Sequence, residues 1–218
     1  MVEHMENNNF PSECQRGFIA KRSCTTNLLV VLGKWTESLD MRTAVDAIYP
    51  DFVTAFDSVP HHRLLPQLES YGTESCVFTW IKDFLAGRHQ RVCVNGMYSD
   101  WSSVTSGVPK GSVLGPVLFI VFIPNDLPDV VNSICQMYPD NTKVFAKVEK
   151  ESVAKLQQDL DSLTDRADCW QLCFNADKCR LLHLGQNNPK YVCNIQNGGE
   201  IDLGCFNSGE GPWCTCGH

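Results

Sequence analysis

A chain of 218 residues with a net charge of −7, 43% hydrophobic and 20% charged residues, has the composition of a folded globular protein of one domain or one and a half. That balance excludes a disordered chain, and it opposes a simple nucleic-acid-binding module, which carries a basic excess. No apolar run reaches the ~18 residues of a membrane-spanning helix, and the polar, acidic residues 1–10 do not read as a secretory signal.

Residues 1–16 read as a loose tail. Ser23 or Thr25 can cap a helix running to about Leu39, with Leu28, Leu32, Trp35 and Leu39 on one face. A short strand, Ala44-Val45-Asp46-Ala47-Ile48-Tyr49, leads to Asp51. Pro60-His61-His62 starts a helix with Leu64, Leu65, Leu68 and Tyr71 inward and Gly72 as its stop. The spacing predicts a further helix over 75–85, with Phe78, Ile81, Phe84 and Leu85 inward and Gly87 at its end. Residues 90–98 alternate around Val92 and Val94, and Asn95-Gly96 is a strong hairpin signal. A Gly/Pro/Ser loop follows and leads into an apolar helix from Val113 to about Phe122. Tyr138-Pro139-Asp140-Asn141 lies between two β-like segments and predicts a tight hairpin with a carboxylate at its tip. A long amphipathic helix over 151–171 buries Val153, Leu156, Leu160, Leu163, Ala167 and Trp170. Arg180-Leu181-Leu182-His183-Leu184 forms a closing strand. Beyond Gly185 the periodicity stops, so 186–218 is expected to lack packed structure. Hairpins rather than regular βαβ alternation imply an α+β domain, an antiparallel sheet flanked by helices.

Twelve cysteines in 218 residues fall below the ~8–10% of a small disulfide scaffold. Cys76, Cys93, Cys135, Cys173 and Cys179 sit singly in apolar segments and read as buried free thiols of an intracellular, not secreted, protein. Cys214 and Cys216 with His218 lack the second ligand pair of a usual zinc site. Asp51 and Asp140 at two strand ends suit two-metal phosphoryl transfer, if the fold brings them together. By spacing alone they read equally as turn aspartates. The loop Ser106-Gly107-Val108-Pro109-Lys110-Gly111-Ser112 has the wrong order for a P-loop, because Lys110 precedes Gly111. Its glycines still permit close backbone approach to a nucleotide or template. His61 and His62, adjacent and without a third partner, read as turn and helix-start residues.

Several segments resemble, in order, the motifs of reverse transcriptases from non-LTR, LINE-type (jockey-like) retrotransposons. Asp51-Phe52-Val53-Thr54-Ala55-Phe56-Asp57-Ser58-Val59-Pro60-His61 is similar to motif A, and the loop from Ser106 through Val113-Leu114-Gly115-Pro116 to motif B. Tyr138-Pro139-Asp140-Asn141-Thr142-Lys143 stands where motif C belongs. Phe174-Asn175-Ala176-Asp177-Lys178-Cys179 with His183-Leu184-Gly185 resembles motif D and its strand. Gly17-Phe18 and Arg22-Ser23 resemble the end of a fingers motif, and Arg88 to Gly96 the linking hairpin. The resemblance implies a right-hand polymerase fold: partial fingers over 17–50 and a palm with inserted fingers segments over 51–185. It implies RNA-directed DNA synthesis from deoxynucleotides on an RNA template and a DNA primer. Two Mg²⁺ ions would sit on Asp51 and Asp140, with Asn141 at the neighbouring metal position. Phe56 would exclude the ribose 2′-OH. Lys110, Gly111 and Tyr138 would line the nucleotide, Arg22 would meet its triphosphate, and Lys178 would donate a proton to pyrophosphate.

The chain departs from that pattern at several places. Motif C has Asp-Asp where this sequence has Asp140-Asn141, which removes a charge that offsets divalent cations. Lys110 replaces a usual Gln, and Ile19 a usual Arg. Pro50 and Pro139 each precede a metal position, where proline removes a ladder N–H. The pattern's N-terminal fingers, thumb, endonuclease and basic regions are not expected within these residues. Two readings follow: a reverse transcriptase domain that is inactive as it stands, or a retrotransposon-derived protein that binds nucleic acid or another partner without catalysis.

Overall fold

The sheet is built outward from Val45–Tyr49 (β1), all five of whose residues are buried. Burial on both faces is the mark of a central strand and explains its apolar Val, Ala, Ile and Tyr content. This computed structural model describes residues 12, 14–17, 19, 22–123, 127–138, 141–149, 152–196 and 200–205. In chain order the helices are Cys24–Asp40 (α1), His61–Ser70 (α2), Ser75–Leu85 (α3), Leu114–Phe122 (α4) and Ser152–Cys169 (α5), with a 3₁₀ turn at Leu127–Val130. After β1 come His89–Gln90 (β2), Cys93–Val94 (β3), Met97–Tyr98 (β4), Ser102–Ser103 (β5), Ile134–Tyr138 (β6) and Asn141–Lys147 (β7). Arg180–Leu184 (β8), Asn194–Gln196 (β9), Glu200–Asp202 (β10) and Gly204–Cys205 (β11) follow. The chain divides into two compact units, 12–53 with 125–218 and, inserted in it, 54–124.

The first unit holds a five-stranded sheet in the order β11-β8-β1-β7-β6. β1 pairs antiparallel with β7 and β8, β7 pairs antiparallel with β6, and the short β11 runs parallel to β8. Val45, Ala47 and Tyr49 pack with Val31, Trp35 and Phe145 in one core cluster. Trp35 meets Phe145 edge to face at 5.8 Å, a favoured aromatic geometry. By strand alternation Asp46 and Ile48 point to the other face. There Asp46 Oδ1 lies 2.7 Å from His183 Nδ1 and accepts from Asn188 Nδ2 at 2.7 Å. Helix α1 begins at a reciprocal cap: Ser23 Oγ accepts from Thr26 N–H, and Thr26 Oγ1 accepts from Ser23 N–H.

The inserted unit packs α2 against α3 and α4. Gly72 and Gly87 close α2 and α3 at φ of 69° and 62°. A thin ribbon pairs β2 with β5 and β3 with β4 through Asn95 and Gly96, both at positive φ, as a type I′ turn requires. Arg91 on this ribbon stacks over Tyr98 and Trp101, 4.0 and 4.5 Å from the ring centres.

Four expectations need correction. Helix α1 buries Asn27, Val31, Trp35 and Ser38, so its inward face is rotated about one position from the apolar stripe; Leu28 and Leu32 are half-buried and Leu39 is exposed. The N-terminal tail is ordered at its end: Gln15 is buried and bridges Met137 in parallel at the β6 edge. Residues 186–218 are structured in part. β9 pairs with β10, Cys193, Ile195 and Leu203 are buried, and β9 packs on α5. Those strands escaped sequence reading because Asn, Gly and Cys give weak alternation, and docking rather than propensity orders them. Finally, Cys135 and Cys179 are buried free thiols, but Cys76, Cys93 and Cys173 are exposed.

Candidate functional site

Pro50 has no N–H to give, and the ladder of β1 ends at Tyr49, one residue before it. The chain then runs along residues 173–179. Asn175 N–H donates to Asp51 O at 2.7 Å, and Val53 N–H donates to Cys173 O at 2.8 Å. Phe52 stacks on Phe174 at 4.7 Å. Asp51 N–H points at Cys179 Sγ, 3.3 Å away, and that thiol in turn faces Asp51 O at 3.8 Å. The Asp51 backbone is therefore held by two residues, Asn175 and Cys179, and its side chain stands partly exposed at the strand end.

Burial pushes the Cys179 thiol up to about 11, against the smaller opposing effect of its bond with Asp51. The thiol is thus neutral near pH 7 and keeps its S–H for donation. Lys178 comes from the same segment, and its Nζ lies 3.9 Å from Asp51 Oδ1. The fold thus joins Asp51 and Lys178, which the sequence resemblance assigned separately. Cys179 beneath them was read only as a buried thiol, although its place beside Lys178 was a usable signal.

The pairing of β1 with β7 runs from Val45 with Lys147 to Ile48 with Val144. The C-terminal end of β1 therefore lies toward the start of β7, where Tyr138 pairs with Asn141 to close the β6–β7 hairpin. Asp140 and Pro139, the tip of the expected motif, lie outside the described residues. Lys143 Nζ sits 5.6 Å from the centre of the Tyr49 ring. Among the described residues no group of three or more His, Cys, Asp or Glu side chains could hold a metal. Asp51 offers a partly exposed carboxylate, a ligand type that fits a hard divalent cation, with Lys178 as a competing positive charge.

In the inserted unit Phe56 stacks on Phe119 of α4 at 4.2 Å with rings 15° apart. Lys110 Nζ reaches Asp57 Oδ2 at 2.6 Å. Gly107 and Gly111 take φ of 85° and 77°, a region that favours glycine. At Gly115 an added Cβ would come within 2.3 Å of Pro109 O, so the loop folds tightly over the start of α4. His61 Nε2 lies 2.8 Å from Gly107 O, a contact sequence reasoning missed. Arg22 is engaged elsewhere: its Nη1 donates to Ser12 O at 3.1 Å and to Gln15 O at 2.5 Å.

The architecture is α+β with an antiparallel-rich sheet, and its class is the right-hand polymerase fold. It is similar to apo telomerase from Candida tropicalis, in one structure truncated from the C-terminal domain and in another without that truncation. The TM-scores are 0.61 and 0.60 at 10% and 8% identity, covering 93% of this chain and 42% and 38% of those chains. The reverse transcriptase (RNA-dependent DNA polymerase) family matches residues 1–196, and the chain belongs to that family. It is similar to the RNA-directed DNA polymerases from mobile element jockey of Drosophila melanogaster and Drosophila funebris, 30% and 31% identical over 76% of this chain. A probable RNA-directed DNA polymerase from transposon X-element of Drosophila melanogaster is 28% identical over 88% of it. The chain spans 19%, 19% and 22% of these relatives' lengths. It is a reverse transcriptase domain of the non-LTR, LINE-type retrotransposon kind. The family is generally dependent on divalent metal. Among the described residues no helix is long and apolar enough to cross a membrane.

Proposed function

We propose that this domain carries the reverse transcriptase nucleotide site, working inside the cell on an RNA template, a DNA primer and deoxynucleotides, and that it does not complete nucleotide addition. The observation that carries the site is Asp51. Its carboxylate is partly exposed at the end of the central strand, its backbone is fixed by Asn175 and Cys179, and Lys178 stands 3.9 Å away. Asp51 and Asp140 would hold two Mg²⁺ ions, which when bound activate the attacking 3′-oxygen and offset charge on the leaving pyrophosphate. Lys178 would give a proton to that pyrophosphate. Phe56, fixed by its stack on Phe119, would close against a 2′-OH. Lys110, Gly111 and Tyr138 would line the nucleotide. Arg22 would have to leave the Ser12 and Gln15 carbonyls to meet a triphosphate. The palm and fingers division belongs to this reading as well.

Asn141 is the reason no turnover is expected. A neutral amide stands where the motif has a carboxylate, so the site carries one negative charge fewer against two divalent cations. Pro139 stands beside the other ligand. The domain would then persist as a nucleic-acid-binding or interaction module. Primer extension on an RNA template with Mg²⁺ or Mn²⁺ tests this. No incorporation above background is expected, and Asn141→Asp alone is not expected to restore it while Pro50 and Pro139 remain. Robust extension that vanishes in Asp140→Asn would overturn the inactive reading.

A further inference from the structure

Two segments far apart in sequence, 56–61 and 106–110, run side by side within the inserted unit. Gly107 N–H donates to Val59 O and Val108 N–H to Phe56 O, both at 2.8 Å. Pro60 and Ser106 form an antiparallel bridge, and Ser106 Oγ donates to Asp57 O at 3.0 Å. The approach is so close that a Cβ on Gly107 would lie 2.7 Å from Asp57 O and 2.8 Å from its Cα. His61, the first residue of α2, adds a side-chain bolt: its Nε2 is 2.8 Å from Gly107 O. A carbonyl only accepts, so Nε2 carries the proton and donates. The Lys110–Asp57 pair also crosses the two segments, but both side chains are more than half exposed, so water screens it.

We propose that His61 is a positioning residue that latches the glycine loop 106–112 to the segment bearing Phe56, so that the sugar gate and the loop move as one element. The latch rests on this geometry; its use toward a nucleotide rests on the function proposed above. Phe56 takes part twice, through its carbonyl on Val108 N–H and its ring on Phe119. Loosening the loop therefore frees one of the two restraints on the gate.

Amide hydrogen exchange on the full chain tests the latch without any activity. In His61→Ala the Gly107 and Val108 amides should exchange roughly five- to ten-fold faster, the scale of one lost hydrogen bond, while α3 keeps its protection. His61→Gln, whose side-chain amide also presents an N–H donor, should restore wild-type rates. Unchanged exchange in His61→Ala overturns the latch. So does equal loosening of α2 and α3 in both variants, which would make His61 a helix-start residue only. Adding dATP with Mg²⁺ should slow exchange across 106–112 in the wild type and His61→Gln but not in His61→Ala. If dATP leaves the wild type unaffected, the nucleotide reading fails, while the latch is still judged by the comparison without nucleotide.

Discussion

Asp159 lies in the middle of α5 with 0% of its surface exposed, yet it is a carboxylate. Its Oδ1 accepts from Asn132 N–H at 2.7 Å and Asn132 Nδ2 at 3.3 Å, and its Oδ2 accepts from Ser133 N–H at 2.9 Å. These bonds tie α5 to the entry of β6, the strand that leads to the Tyr138 hairpin. Hydrogen bonds to a charged group contribute about 1.5–3 kcal/mol each. Removing the buried charge also relieves some desolvation, and the freed N–H groups of the part-exposed Asn132 and Ser133 recover some water. Asp159→Ala should therefore cost about 2–4 kcal/mol. Asp159→Asn keeps one acceptor oxygen and turns an NH₂ toward a donor, so it should lose about half as much. Urea unfolding followed by far-UV circular dichroism reads both, as a lowered midpoint at unchanged slope. A loss under ~1 kcal/mol in Asp159→Ala would refute the tie, since solvent would then be replacing those bonds at no cost.

Gly115→Ala should destabilise the inserted unit by about 1–3 kcal/mol, because the new methyl meets the Pro109 carbonyl at 2.3 Å and forces the loop or α4 to shift; thermal melting checks it against Gly33→Ala, where nothing lies within 4 Å. Alkaline pH should weaken the fold: burial raises Cys135 to about 12 and Cys179 and Cys193 to about 11, from an ordinary 9.0. Above pH 9 the unfolded thiols lose protons that the folded ones still hold, so stability is full below pH 9 and falls from there to about pH 11–12. Urea midpoints at pH 8 and 10 measure this, and Cys135→Ala should flatten the decline.

Much of the local structure was legible because its causes are local. Ser23, one of the two caps offered, Gly72, Gly87 and Asn95-Gly96 act over a few residues, and each starts, ends or turns an element where the sequence said it would. The inward face of α1 was not legible. Stripes through Leu28 and through Asn27 differ by one position, and the buried one includes polar Asn27 and Ser38; Ser38 donates to Lys34 O within the helix and so tolerates burial. Exposure of Cys76, Cys93 and Cys173 was equally hidden, since an apolar neighbourhood in sequence does not say which face the sheet and helices cover.

The sequence by itself determined the family, through motifs whose residue types and order survive without coordinates, and it determined the types of the main elements as far as Leu184, through periodicity and turn chemistry. Only the tertiary structure decided that Asp51 is held by a backbone bond from Asn175 and by the thiol of Cys179, 128 residues downstream, with Lys178 beside it. It also decided that His61 reaches Gly107 across 46 residues of chain. The physical reason is range: caps and turns are satisfied by neighbours in sequence, whereas strand order and these long contacts exist only after distant segments have buried their apolar faces together.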